Sequence, residues 1–266
     1  MRVIKAVVIG LASWPALVWA HTPFSEPDSS ATVVAFALLV FVWLAYALGC
    51  RRRPPANAQA WLFHSACTLS VLTLFGPLDE WAETNEAAHM VQHMLMMVVI
   101  APLWVMARPL PQWYALSARI GRLVFAPLFA LAAYPMVATA IHGAIIWLWH
   151  TPSLYVLALE NLWWHFFEHL CFLLTAGVFW WAVLRCQERN TGRALLALLV
   201  TLMHTGFLGA LLTFSQRSWY GADRVLEHQQ LAGLLMWVLG AIPYLGAAFF
   251  LGWRWFSRVM RGCESH

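Results

Sequence analysis

Apolar and polar positions divide the chain into seven apolar stretches, roughly 31–50, 58–76, 88–107, 124–149, 163–185, 194–213 and 229–253. Each is about as long as the ~20 residues that carry a helix across a ~30 Å hydrocarbon core. The segments between them are short, and no linker, repeat or low-complexity tract marks a second domain. The expected fold is all-α: a polytopic membrane bundle of seven transmembrane helices, forming one domain over residues 21–266. In the fourth stretch Pro127 and Pro135 predict a kink, because proline cannot donate the helical hydrogen bond.

Residues 1–20 read as a signal peptide. Arg2 and Lys5 give a basic start, Ala6 to Val18 is apolar, and Val18-Trp19-Ala20 offers a cleavage site. Fifteen apolar residues would rise only ~22 Å, short of a full crossing. Left uncleaved, this segment would be an anchor with the same topology behind it. Cleavage after Ala20 would expose His21, whose terminal amine and imidazole together form a copper chelate.

Composition agrees with a membrane chain. Of 266 residues, 62% are hydrophobic and 11% charged, against about 25% charged in soluble domains. The formal net charge of +4 says nothing of nucleic acid, and none is expected as a partner. The cations sit in alternate connections instead: Arg51, Arg52 and Arg53; Arg108, Arg119 and Arg122; Arg185, Arg189 and Arg193; Arg254, Arg258 and Arg261. The other connections carry only Arg217 and Arg224. Positive residues mark the cytoplasmic side, so the N-terminus is expected outside and the C-terminus cytoplasmic. Asp79, Glu80, Glu83, Glu86, Glu160, Asp223 and Glu227 then fall outside, where they would gather cations. Trp147, Trp149, Trp163 and Trp164 near the outer boundary, and Trp180, Trp181, Trp253 and Trp255 near the inner one, suit an interfacial belt. None of the five cysteines falls in an outer segment, so no structural disulfide is expected.

Histidine changes this picture. His89 and His93 open the third stretch and His165 and His169 the fifth. Each pair is four residues apart, hence on one helix face, and all four lie at one outer depth. His150 closes the fourth stretch and His228 opens the seventh, at the same level. His142 and His204 lie deeper, His64 is read as structural, and His266 as a solvated tail. Imidazoles inside a membrane are costly unless paired or ligated. His89, His93, His165 and His169 are therefore the expected metal ligands, joined by His150 and by Met97, which continues the His89–His93 stripe. Glu86, Met96, His142, His204 and His228 are lesser candidates. Glu168 would orient an imidazole, and Gln229 offers a polar contact on a face shared with Gly233, Met236 and Gly240. Thioether and imidazole together suit copper better than magnesium or calcium.

The ordered motifs resemble a known family. His89-Met90-Val91-Gln92-His93 with Ala101-Pro102-Leu103 looks like the third-span signature of the CtaG-type cytochrome c oxidase assembly factors. His150-Thr151-Pro152, His165-x-x-Glu168-His169 and Phe179-Trp180-Trp181 are similar to the next signature, and Gln229-Gln230-Leu231-Ala232-Gly233-Leu234-Leu235-Met236-Trp237 to the last. The likeness covers most of residues 31–253. It departs from the pattern at His228, a position often held by Asp. The resemblance implies an inner-membrane factor that supports copper delivery to a haem–copper oxidase. Its partners would be an oxidase subunit, a periplasmic copper donor and membrane lipid.

Three other readings remain open on the sequence. A haem b electron-transfer protein would take axial histidines from facing helices. A copper or metal transporter would use His142 and His204 as a path inward, although no internal repeat of the transporter kind is seen. A di-metal oxygenase lacks its His-x-x-His-His element here. No nucleophile constellation or phosphate loop appears, so no enzymatic activity is expected.

Overall fold

The computed structural model describes residues 30–222 and 224–264. The export signal expected over 1–20, together with His21, Asp223 and His266, lies outside the described residues. The described chain is helical and, among these residues, has no strand. In order it forms α1 (Ser30–Arg52), α2 (Asn57–Phe75), α3 (Pro77–Thr84), α4 (Glu86–Ala107), α5 (Leu110–Leu116), α6 (Ala118–Ala132), α7 (Pro135–Trp149), α8 (Pro152–Glu160), α9 (Leu162–Leu184), α10 (Thr191–Thr213) and α11, which runs from Leu226 into Gly240–Glu264. Six of these helices are long and apolar enough to cross a membrane: α1, α2, α4, α9, α10 and α11.

The fourth stretch forms the bent pair α6 and α7, which meet at 102° and make a seventh candidate crossing when taken as one span. The fourth stretch is therefore broken, not merely kinked. Pro135 occupies the first turn of α7, where its missing N–H costs nothing, while Pro127 sits inside α6 without ending it. The 15 residues of α7 rise only ~22 Å on their own. The break falls at Ala133–Tyr134, towards the arginine-rich end of the bundle.

Two helices carry π segments, Leu95–Ile100 in α4 and Leu235–Leu239 in α11. Such a segment inserts a residue into the helical register and releases a carbonyl. In α4 a buried side chain answers it: Trp180 Nε1 donates to the Met97 carbonyl at 2.8 Å, and the Trp180 ring stacks on Tyr244. Trp180 thus belongs to the core, as does Trp149, and neither joins the interfacial belt expected of them. Trp163, Trp164, Trp253 and Trp255 are exposed, as a belt requires.

The core lies between α4, α7, α9, α10 and α11. Within it, α10 and α11 approach closely. A Cβ on Gly233 would stand 2.5 Å from the Gly209 carbonyl oxygen, and one on Gly209 2.8 Å from that of Gly233. The small-residue face expected around Gly233 is thus the contact by which α11 packs.

Candidate metal centre

Two asparagines set the height of the histidines. Asn85 caps α4 by accepting from the N–H groups of Ala87 and Ala88, and Asn161 caps α9 by accepting from those of Trp163 and Trp164. The Asn85 and Asn161 carbonyls take the N–H of His89 and His165, each at 3.0 Å. Each helix therefore presents its first histidine one turn after its cap and its second one turn further. The underlying pattern is a short repeat, Asn-x-x-x-His-x-x-Gln-His in α4 and Asn-x-x-x-His-x-x-Glu-His in α9. This signal was present in the sequence and is easily missed, because only the polar positions recur.

The two ladders meet rung by rung. Ring centroids of His89 and His165 are 5.4 Å apart, and those of His93 and His169 are 5.3 Å apart. Within each helix the paired rings stand 4.1 Å apart. Between the ladders lies the Glu168 carboxylate, with one oxygen 3.8 Å from His89 Nε2 and 3.6 Å from His93 Nε2. His89, His93, His165 and Glu168 each offer a ligand atom, and these atoms all lie within 4.8 Å of one another. Glu168 therefore occupies the centre instead of orienting an imidazole from behind, and His169 stands just outside this tightest group.

Polar groups in this cluster lack hydrogen-bond partners. The Nε2 atoms of His89, His93, His165 and His169 and both Glu168 oxygens are buried and unpartnered. Burying such groups unsatisfied is expensive, so the arrangement fits a cation that would bind to these lone pairs. Three imidazoles and a carboxylate form a borderline to hard donor set. By ligand type this suits a divalent transition ion, and copper heads the affinity order for such sites.

Aromatic rings seal the cluster. Tyr155 of α8 lies 5.2 Å from His89 and stacks at 3.7 Å on Tyr220, while Phe172 lies 4.7 Å from His93. Beside this seal, Glu86 is buried and pairs with Arg224 at 3.0 Å; His228 Nδ1 is 3.8 Å from its other oxygen. Glu86 and His228 thus form a separate polar group at the helix ends. Glu80, Glu83, Glu160 and Glu227 are exposed around this end.

The remaining candidates sit apart. His150 is buried with Nδ1 held by the Ile146 carbonyl at 2.7 Å, which leaves Nε2 unpartnered; its ring contacts Phe172 at 6.3 Å. Met97 and Met96 are buried inside the π segment, and Met97 packs in the core. His142 Nδ1 donates to Thr175 Oγ1 at 2.9 Å, since that hydroxyl already donates to the Cys171 carbonyl. His204 packs over Gly143, whose Cβ would meet its Nε2 at 2.9 Å. His142 lies eight residues before His150 on or beside α7, about 12 Å deeper, and adds nothing to the cluster. Gln229 faces the 214–225 segment: it accepts from the Trp219 N–H at 2.7 Å and donates to the Arg217 carbonyl at 3.5 Å. Gln92, the α4 counterpart of Glu168, turns away and donates to Asp79 at 2.6 Å and to the Thr73 carbonyl at 3.0 Å.

A family model described as cytochrome c oxidase caa3 assembly factor matches residues 34–258. No curated protein and no solved structure matches the chain.

Proposed function

The chain belongs to the cytochrome c oxidase caa3 assembly factor family, and on that premise we propose that it supports copper delivery to a haem–copper oxidase. One observation carries the copper part of this reading. His89, His93, His165 and Glu168 converge within 4.8 Å, buried and without hydrogen-bond partners. Copper is the cargo here, not a resident cofactor. His89, His93, His165 and Glu168 would hold it, with His169 one rung below.

The reading also uses the expected topology. With the arginine-rich end cytoplasmic, the histidine cluster opens from the periplasmic side of an inner membrane. An ion from a periplasmic donor would first meet the exposed Glu80, Glu83, Glu160 and Glu227. The Tyr155–Tyr220 seal separates that rim from the ligands, so loading requires the 214–225 segment or α8 to move. His150, with an unpartnered Nε2 beside Phe172, is a further candidate to pass the ion on. An oxidase subunit would receive it. Met97, packed in the core, and buried Met96 are given no role in this version.

Detergent-purified protein, loaded with copper and then dialysed, tests the proposal. The wild type is expected to retain about one copper per chain, and a His93→Ala/His169→Ala variant far less. Equal retention by the two would refute it. A Soret band in the purified wild type would instead favour the haem b reading, and copper accumulation in sealed vesicles would favour a transporter.

A further inference from the structure

At the opposite end of α9 from the histidines, the break between α6 and α7 opens a cavity of about 540 Å³. That is within the ~300–1,000 Å³ range of small-molecule sites. Its walls are of two kinds. Phe129, Ala132 and Trp181 form an apolar side, continuous with the lipid-facing surface of α6. Arg185, Arg189 and Arg193 form the other.

These three arginines have no carboxylate among the described residues, and no acid lines the cavity. The neighbouring cation Arg258, by contrast, is paired with Glu188. The guanidinium of Arg185 lies over the Trp181 ring at 5.5 Å, and Trp181 packs on Phe129 at 4.7 Å. That contact places the guanidinium beside the apolar wall, while the Arg185 side chain stays exposed and open to a ligand. Arg108 and Arg254 add like charge beside it. An anion would relieve that repulsion. Asn190 precedes and Arg193 lies in the first turn of the 23-residue helix α10, whose dipole also favours negative charge at this end.

We propose that this cavity binds one anionic phospholipid, its phosphodiester held by Arg185, Arg189 and Arg193 and its acyl chains laid along Phe129 and Ala132. The shared chemistry is a phosphate anion; the apolar wall selects the lipid over a free ion. Basic pockets between membrane helices at the arginine-rich face recognise such head groups. The site stands independently of copper handling. It would tie α6 to the bundle through a lipid and hold the α6–α7 break open.

The test is lipid competition on the full chain. Protein freed of lipid by detergent washing is offered equal amounts of phosphatidylglycerol and phosphatidylcholine, and bound lipid is read by native mass spectrometry. The expected result is retention of one phosphatidylglycerol with at least ~10-fold preference. The preference should fall to near parity in Arg189→Gln/Arg193→Gln and persist in millimolar inorganic phosphate. Equal retention of the two lipids, an unchanged preference in the variant, or displacement by inorganic phosphate would each overturn it. If the variant does not fold, the wild-type competition between the two lipids and phosphate decides alone.

Discussion

His93 Nε2 and a carboxylate oxygen of Glu168 stand 3.6 Å apart, both side chains 1% exposed. They are too far apart for a hydrogen bond and too deeply buried for water to be a ready substitute. Two polar groups placed this way on neighbouring helices suit a shared cation better than each other. Glu168→Gln keeps the shape and removes the charge. Its copper retention against a chelator is expected to fall by ~10–100-fold, with helicity and elution volume unchanged. His169→Ala should have a smaller effect than His93→Ala, since His169 lies outside the tightest group. Equal affinity of Glu168→Gln and wild type would remove the carboxylate from the site.

The pairing of buried Glu86 with Arg224 predicts a stability effect. Arg224→Gln leaves a carboxylate without its cation and is expected to cost about 1–3 kcal/mol, below the value for a wholly buried pair because Arg224 remains partly in solvent. Glu86→Gln/Arg224→Gln should recover part of that loss. A double-mutant cycle on thermal midpoints measures the coupling, and additive losses would show that the pair contributes nothing.

Asp79 on α3, outside the crossing helices, gives a pH dependence. Burial pushes its carboxyl from 3.8 up to about 7, against the pull of the hydrogen bond from Gln92 and with a further push from Glu83. A raised value means that the folded protein keeps a proton which the unfolded chain releases. Stability should therefore be full below about pH 4 and fall as pH rises to about 7, by at most ~1.4 kcal/mol per pH unit. Asp79→Asn should flatten this part of the profile of denaturation midpoint against pH.

Gly233→Ala places a methyl 2.5 Å from the Gly209 carbonyl oxygen, so α10 and α11 must part. A loss of about 1–3 kcal/mol is expected in thermal unfolding. Gly252→Ala is the control, because nothing lies within 4 Å of its Cβ; there the helix should gain up to ~1 kcal/mol.

Much of the architecture was legible from periodicity alone, because crossing a bilayer demands length and apolarity that few other structures need. The histidine pairs were legible for the same reason: spacing and depth fix their face and height. Glu168 was harder to place. Beside His169 it resembles an interfacial acid, and only its side-by-side packing with α4 puts it between the imidazoles. The methionines sit in a local irregularity that the sequence did not announce. A π segment is written in no obvious residue pattern, yet it spans Leu95–Ile100 and includes both Met96 and Met97. Trp180 looked interfacial because tryptophan often is; its N–H was instead needed by the Met97 carbonyl that the π segment released. Gln229 offered a polar side chain of unknown direction, and the direction came from the 214–225 segment folding back over it.

The twin asparagine caps have a consequence for how this centre tolerates change. Each ladder is gauged from its own first turn, one turn to the upper rung and two to the lower, so its elevation depends on a local count and not on the chain between. Length added to the 150–161 or 214–225 connections would leave the rungs level. A single residue inserted between Asn85 and His89, or between Asn161 and His165, would swing one pair of rings by ~100° and lift it past its mate.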